Sequence, residues 1–255
     1  MAAYTCTAHI SACTCSDHMG GKDIRSGCVP LQLVSSFVPL IVCLVALMSV
    51  CMLPGGWVDG SKCSAAVEMF EASPEGGQWL SLSPLIQSRR LHGLAACAGK
   101  LYVFGGCCDD PQWYTDSVEV LDLSVGLDQA VWVQLPRKVP AAGELRAVTV
   151  DPYIFLFLNG RNVVRYDTTD DSHTTLSALP LEDWHCFDAV HVGGGHVLLL
   201  GGSSKGAWTS AVYDYDVRTD SWTALPPMPQ AKRRCACVAS FSRPVLESLP
   251  SDTTA

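Results

Sequence analysis

One phrase recurs along this chain: a short apolar strand that ends in two glycines, a second Tyr- or Val-rich strand, a turn, and a Trp followed by Leu-Pro. It runs Leu101-Tyr102-Val103-Phe104-Gly105-Gly106, then Ser117 to Asp122, then Trp132-Val133-Gln134-Leu135-Pro136. It returns as His196-Val197-Leu198-Leu199-Leu200-Gly201-Gly202, then Ala211 to Asp216, then Trp222-Thr223-Ala224-Leu225-Pro226. Self-similarity at a period of roughly 40 to 50 residues marks a unit that cannot bury its own apolar faces and needs stacked neighbours.

Within a unit the strands follow one order. Ala189 to Val192 and Val197 to Leu200 flank Gly193-Gly194-Gly195, a hairpin signal because glycine takes positive φ without steric cost. Both runs are continuously apolar, as strands covered on two faces are. Ser203 to Thr209 then reads as a loop, Ala211 to Asp216 as a third strand and Trp222 to Leu225 as a fourth, at the rim. The unit before it matches from Leu94 to Leu135, with a loop over Cys107 to Asp116. A worn copy from Arg146 to Pro180 lies between them, with Asn159 in place of the first glycine and no Trp. Ala65 to Glu71 with Trp79 to Leu82 reads as a partial unit, and Arg234 to Phe241 as a lone first strand.

These elements resemble Kelch repeats. The residues that carry the likeness are Gly105-Gly106, Gly201-Gly202, Tyr213, Tyr215, Trp222, Trp132 and the Leu-Pro pairs, with Arg90 and Arg234 as the basic residue that opens a repeat; Leu121 stands where a Tyr is usual. The resemblance covers 65–241 and implies an all-β fold, a β-propeller or incomplete propeller of about four four-stranded blades. It makes Trp79, Trp132, Tyr213 and Trp222 structural residues together with the glycine pairs. The second strand needed to close a ring is sought in Pro244 to Leu249; an open arc would instead expose sheet faces and favour self-association.

The segment before the repeats reads differently. No residue from Ser26 to Val58 carries a charge, and Phe37 to Leu53 is almost wholly aliphatic. With the residues before it, the run reaches the roughly 20 needed to cross a bilayer. The expected organisation is therefore a disordered tail (1–28), a candidate transmembrane helix (29–54), a linker (55–64), the repeats (65–241) and a C-terminal tail (242–255). A cleaved secretory signal, a buried helix and an extension outside the working protein are the competing readings. The expected location is a single-pass membrane protein, with a cytoplasmic protein as the alternative.

Charge excludes one partner class. With 25 acidic against 17 basic residues the net charge is −8, which offers no footprint for nucleic acid. The 13 cysteines are an odd number, too sparse for a disulfide-stapled scaffold, and unpaired thiols are expected.

Chemistry is sparse. His185, Cys186, Asp188, His191 and His196 are near one another in sequence, but their spacing fits no zinc pattern. Cys107-Cys108 and Cys235-Ala236-Cys237 read as ordinary loop and core thiols. No phosphate-cradling motif or serine-nucleophile motif is present. The expectation is no metal, no cofactor and no catalytic residue.

What remains is docking by loops on a rigid scaffold, with Trp113, Tyr114 and Trp208 as aromatic anchors for an unknown protein partner. Lys232-Arg233-Arg234 is a short basic cluster able to meet an acidic partner. The resemblance further implies adaptor roles, including substrate adaptors of ubiquitin ligases, although no BTB or F-box region is recognisable. It also implies a rival class: metal-dependent enzymes resembling galactose oxidase or specifier proteins.

Overall fold

The computed structural model describes residues 49–58, 62–73, 76–109 and 113–239. Its regular elements are all strands, and the chain divides between Leu145 and Arg146 into two compact units.

In the first unit, β1 (Ser49–Pro54) leads through a small hairpin of β2 (Trp57–Val58) and β3 (Lys62–Cys63) into β4 (Val67–Ser73) and β5 (Gly76–Leu82). The sheet order β1-β4-β5 is antiparallel throughout. A four-stranded sheet follows, made of β6 (Gly93–Cys97), β7 (Lys100–Phe104), β8 (Val118–Asp122) and β9 (Trp132–Gln134) in sequence order. The second unit repeats this plan twice. One sheet holds β10 (Leu145–Val150), β11 (Tyr153–Leu158), β12 (Asn162–Asp167) and β13 (Ser172–Ala178). In the other, β14 (Asp188–Gly193) and β15 (His196–Leu200) are followed by the short hairpin β16 (Ser203–Ser204) and β17 (Ala207–Trp208), then β18 (Val212–Asp216) and β19 (Ser221–Leu225).

Equivalent rows cross three of the sheets. Leu101, Leu121 and Trp132 stand opposite one another, as do Val197, Tyr215 and Trp222, and Cys51, Phe70 and Trp79. Each inner Trp is covered by the sheet that precedes it. Trp132 joins Met52, Val67 and Met69 of the first sheet in one apolar core. Trp222 meets Phe157 of the third sheet edge to face at 6.2 Å, and its indole N–H donates to Ser177 Oγ. Tyr213 packs at the same core, 5.7 Å from Trp184. The inner strands β7 and β11 are buried along nearly their whole length, so their residues run apolar without alternating toward a solvated side.

Trp79 departs from the expectation. It holds the wedge register against Phe70, with ring centroids 5.2 Å apart, yet it is 58% exposed. Among the described residues no earlier sheet lies in front of it. The worn copy keeps its fold without the motif: His173 stands opposite Tyr166 where the other sheets have a Trp, and Tyr166 Oη donates to Asp171 as Tyr215 Oη donates to Asp220.

Two boundaries are corrected. Ser49–Pro54, the last six residues of the candidate membrane helix, form strand β1 paired residue for residue with β4. Residues 55–64, expected as a linker, carry the β2–β3 hairpin. The strand beside β4 therefore comes from upstream of the expected repeats. The expected first strand from Arg234 contains no strand over residues 234–239. Residues 1–48, including the rest of the candidate span, and Pro244 to Leu249 lie outside the described residues. Among those described, no helix is long and apolar enough to cross a membrane.

Candidate partner-binding hairpins

Three Gly-Gly pairs end three equivalent strands, and each opens a hairpin closed in the same way. Gly55, Gly105 and Gly201 donate their N–H groups to Ala66, Ser117 and Ala211 (2.7, 3.1 and 3.0 Å). Ser64, Thr115 and Thr209 donate back to Gly56, Gly106 and Gly202 (2.9, 3.0 and 3.0 Å). All six glycines have positive φ, between 54° and 113°. Close approach demands glycine as much as conformation does: a Cβ on Gly55 would stand 2.7 Å from Arg89 O, and one on Gly106 2.6 Å from Arg90 O. The sequence reading missed the pair Gly55-Gly56. The signal was present, an apolar strand ending in Gly-Gly-Trp, but it lies within the run read as a membrane helix and its flank.

The residue before each closing Ser or Thr is Cys63, Tyr114 or Trp208, and the three differ in character. Cys63 is buried; its N–H donates to the Asp109 carboxylate at 3.1 Å, and Arg90 Nη1 donates to its Sγ at 3.3 Å. Burial, reinforced by Asp109, pushes the Cys63 thiol up to about 11. Tyr114 is 55% exposed and lies flat against Gly143, where a Cβ would overlap the ring; its neighbour Trp113 is 65% exposed. Trp208 is 59% exposed, with the Arg233 guanidinium 5.1 Å above its ring. The three aromatic residues expected on the loops are thus solvent-facing, Trp113 and Tyr114 on the first unit and Trp208 on the second.

Beneath the first unit's hairpins sits a polar device the sequence reading passed over. Arg89, next to the expected Arg90, is wholly buried and ion-paired to the equally buried Glu119. Its guanidinium also donates to Gly105 O at 3.0 Å and Ser117 Oγ at 2.8 Å, while Glu119 accepts the N–H groups of Ile86 and Gln87. Arg89 therefore ties the Gly-Gly turn to β8. His92 lies between Gly55 and Gly106; burial first, then the Arg89 charge, hold it down at about 3 despite the Pro54 carbonyl, so it is neutral. In the second unit Trp184 takes the corresponding place, fully buried, its indole N–H donating to Gly201 O at 2.7 Å.

The histidines and acids that lie close in sequence take separate partners. His185 bonds Asn159, Asp188 pairs with Arg146 at 3.3 Å and accepts the Cys237 N–H at 2.6 Å, and His196 pairs with Asp214 at 3.0 Å. Among the described residues, no group of three or more His, Cys, Asp or Glu could hold a metal ion. Cys63, Cys107, Cys108, Cys235 and Cys237 are free thiols, all pushed above the ordinary range by burial. They are poor nucleophiles for that reason.

The Kelch motif model matches residues 88–138 and 189–229, which contain the second sheet and all but the first residue of the fourth. Kelch-like protein 35 of Mus musculus is 30% identical over 199 residues, covering 76% of this chain and 33% of its own length. The chain thus spans about a third of that relative. A solved structure titled "Structure of YjhT" superposes with a TM-score of 0.57 at 16% identity, covering 67% of this chain and 61% of the other, a likeness of β-propeller fold alone.

Proposed function

Because this chain belongs to the Kelch-repeat family, we propose that it works as a non-catalytic protein–protein interaction module. The observation that carries this reading is the set of large aromatic side chains, Trp113, Tyr114 and Trp208, more than half exposed on hairpins whose backbones are closed by matching hydrogen bonds. An aromatic ring on a preordered hairpin loses little conformational freedom on binding and covers a large apolar area. A partner docks by burying these rings. Alanine at any of them removes the anchor and leaves the blades intact, because none belongs to the apolar cores around Trp132 and Trp222.

Protein captured by proximity labelling from cells expressing wild type, Trp113→Ala, Tyr114→Ala or Trp208→Ala tests the reading. At least one protein enriched on wild type drops out of a variant that melts at the wild-type temperature. An identical set of captured proteins across all four would refute it.

A further inference from the structure

We propose that hairpin β16–β17 together with Lys232-Arg233-Arg234 is a docking site for an acidic segment of a partner protein, one whose carboxylates lie within a few residues of an apolar side chain. This rests on the reading of the hairpins as docking surfaces and gives the second unit's hairpin its ligand chemistry.

The site is built before any partner arrives. Lys232 O accepts the Gly202 N–H at 2.6 Å, the Lys232 N–H donates to Thr209 O at 3.3 Å, and the Arg234 N–H donates to Cys186 O at 2.8 Å. These bonds fasten the basic segment along the base of the hairpin, while Ser203 and Ser204 pair with Trp208 and Ala207 across it. The Arg233 guanidinium lies over the ring of the exposed Trp208. A guanidinium stacked this way keeps its in-plane N–H groups available to a carboxylate, and the ring holds it in place.

Charge identifies the ligand. Several basic side chains elsewhere carry carboxylate partners, among them Lys100 with Asp122, Lys138 with Asp116, Arg146 with Asp188, Lys205 with Glu182 and Arg218 with Asp216. Among the described residues, Lys232 and Arg233 have none, and both are exposed. In a chain of net charge −8 this is a local excess of cations beside an exposed indole. At physiological salt the screening length is about 8 Å, so a short acidic segment responds to that local field. An extended polyanion or an anionic membrane would also meet the acidic remainder of the surface. The equivalent hairpins lack the combination: Tyr114 is backed by Gly143, and Arg90 sits on a buried thiol.

Panning a phage library of random 12-residue peptides on the full chain tests the proposal, with Arg233→Glu and Trp208→Ala as comparison baits and thermal melts as folding controls. The expected clones carry at least twice the Asp and Glu content of the input. Synthetic peptides from them bind less tightly as NaCl rises from 50 to 300 mM, and each variant weakens them at least tenfold. Clones no richer in acids than the input, acidic clones that bind Arg233→Glu as well as wild type, or no enrichment at all would overturn it. So would Arg233-dependent binding of phosphatidylserine vesicles or an oligonucleotide without acidic clones. Neutral clones lost on Trp208→Ala but kept on Arg233→Glu would remove the acidic ligand and leave the hairpin reading standing. Clones indifferent to Trp113, Tyr114 and Trp208 would end both.

Discussion

Trp132 and Trp79 hold the same register position in successive sheets, and the structure predicts that they contribute very differently. A Trp side chain buries about 200 Å², which at about 25 cal/mol per Å² gives roughly 5 kcal/mol when nearly all of it is covered. Trp132 is 5% exposed and realises almost the whole of this. Trp79, 58% exposed, keeps about two fifths, or about 2 kcal/mol on the same scale. Both figures are upper bounds, because the unfolded chain already covers part of its apolar surface. Their difference is more secure, and Trp132→Ala should cost about 3 kcal/mol more than Trp79→Ala. For a chain of this size that corresponds to a further fall in melting temperature of about 6–12 °C. Urea and thermal melts followed by far-ultraviolet circular dichroism would measure it. Equal losses would refute the reasoning, since they would mean that the two rings are equally covered in solution.

Glycine positions separate close approach from backbone conformation: Gly99→Ala has positive φ but open space and should cost about 1 kcal/mol. Gly106→Ala, whose Cβ would stand 2.6 Å from Arg90 O, should cost several times that. Equal urea midpoints for the two would show that the turn can relax. Arg89→Met strands the buried Glu119 carboxylate and should cost about 3–5 kcal/mol, part of it recovered by adding Glu119→Gln; no recovery would mean that the guanidinium acts by packing alone. His92, its ring nitrogens shut off from solvent, is held down at about 3 in the folded chain against an ordinary 6.5, so below pH 6.5 the unfolded chain takes up a proton that the native state refuses. Its contribution is intact above 6.5 and declines as pH falls toward 3, by at most about 1.4 kcal/mol per pH unit. His92→Phe should flatten the loss of stability between pH 6.5 and 4.5, and an unchanged slope in urea melts would count against this.

Much of the blade plan is legible in the residues because its signals are local. Gly105-Gly106 and Gly201-Gly202 mark strand ends, Gly193-Gly194-Gly195 marks a hairpin, and the Trp of each fourth strand keeps its distance from them, so strand order can be read along the chain. The worn copy is legible by the same order even without its Trp. The proposed anchors Trp113, Tyr114 and Trp208 are legible as exposed because they fall in polar stretches between strands. Ser49–Pro54 was hard to place for a physical reason: Cys51 is exposed and Met52 buried, yet both sides of the strand carry uncharged, largely apolar residues, so no polar alternation separates it from a membrane helix.

Repetition, strand order and acidity follow from the sequence alone, since each is a property of neighbouring residues or of a sum over the chain. Tertiary structure decided which member of a repeated set is covered. It buried Trp132 and left its counterpart Trp79 open, sank Arg89 against Glu119 and laid Arg233 over Trp208. These outcomes depend on which distant strand arrives alongside, and a packing partner far away in the chain leaves no mark on the residues next to the site it fills.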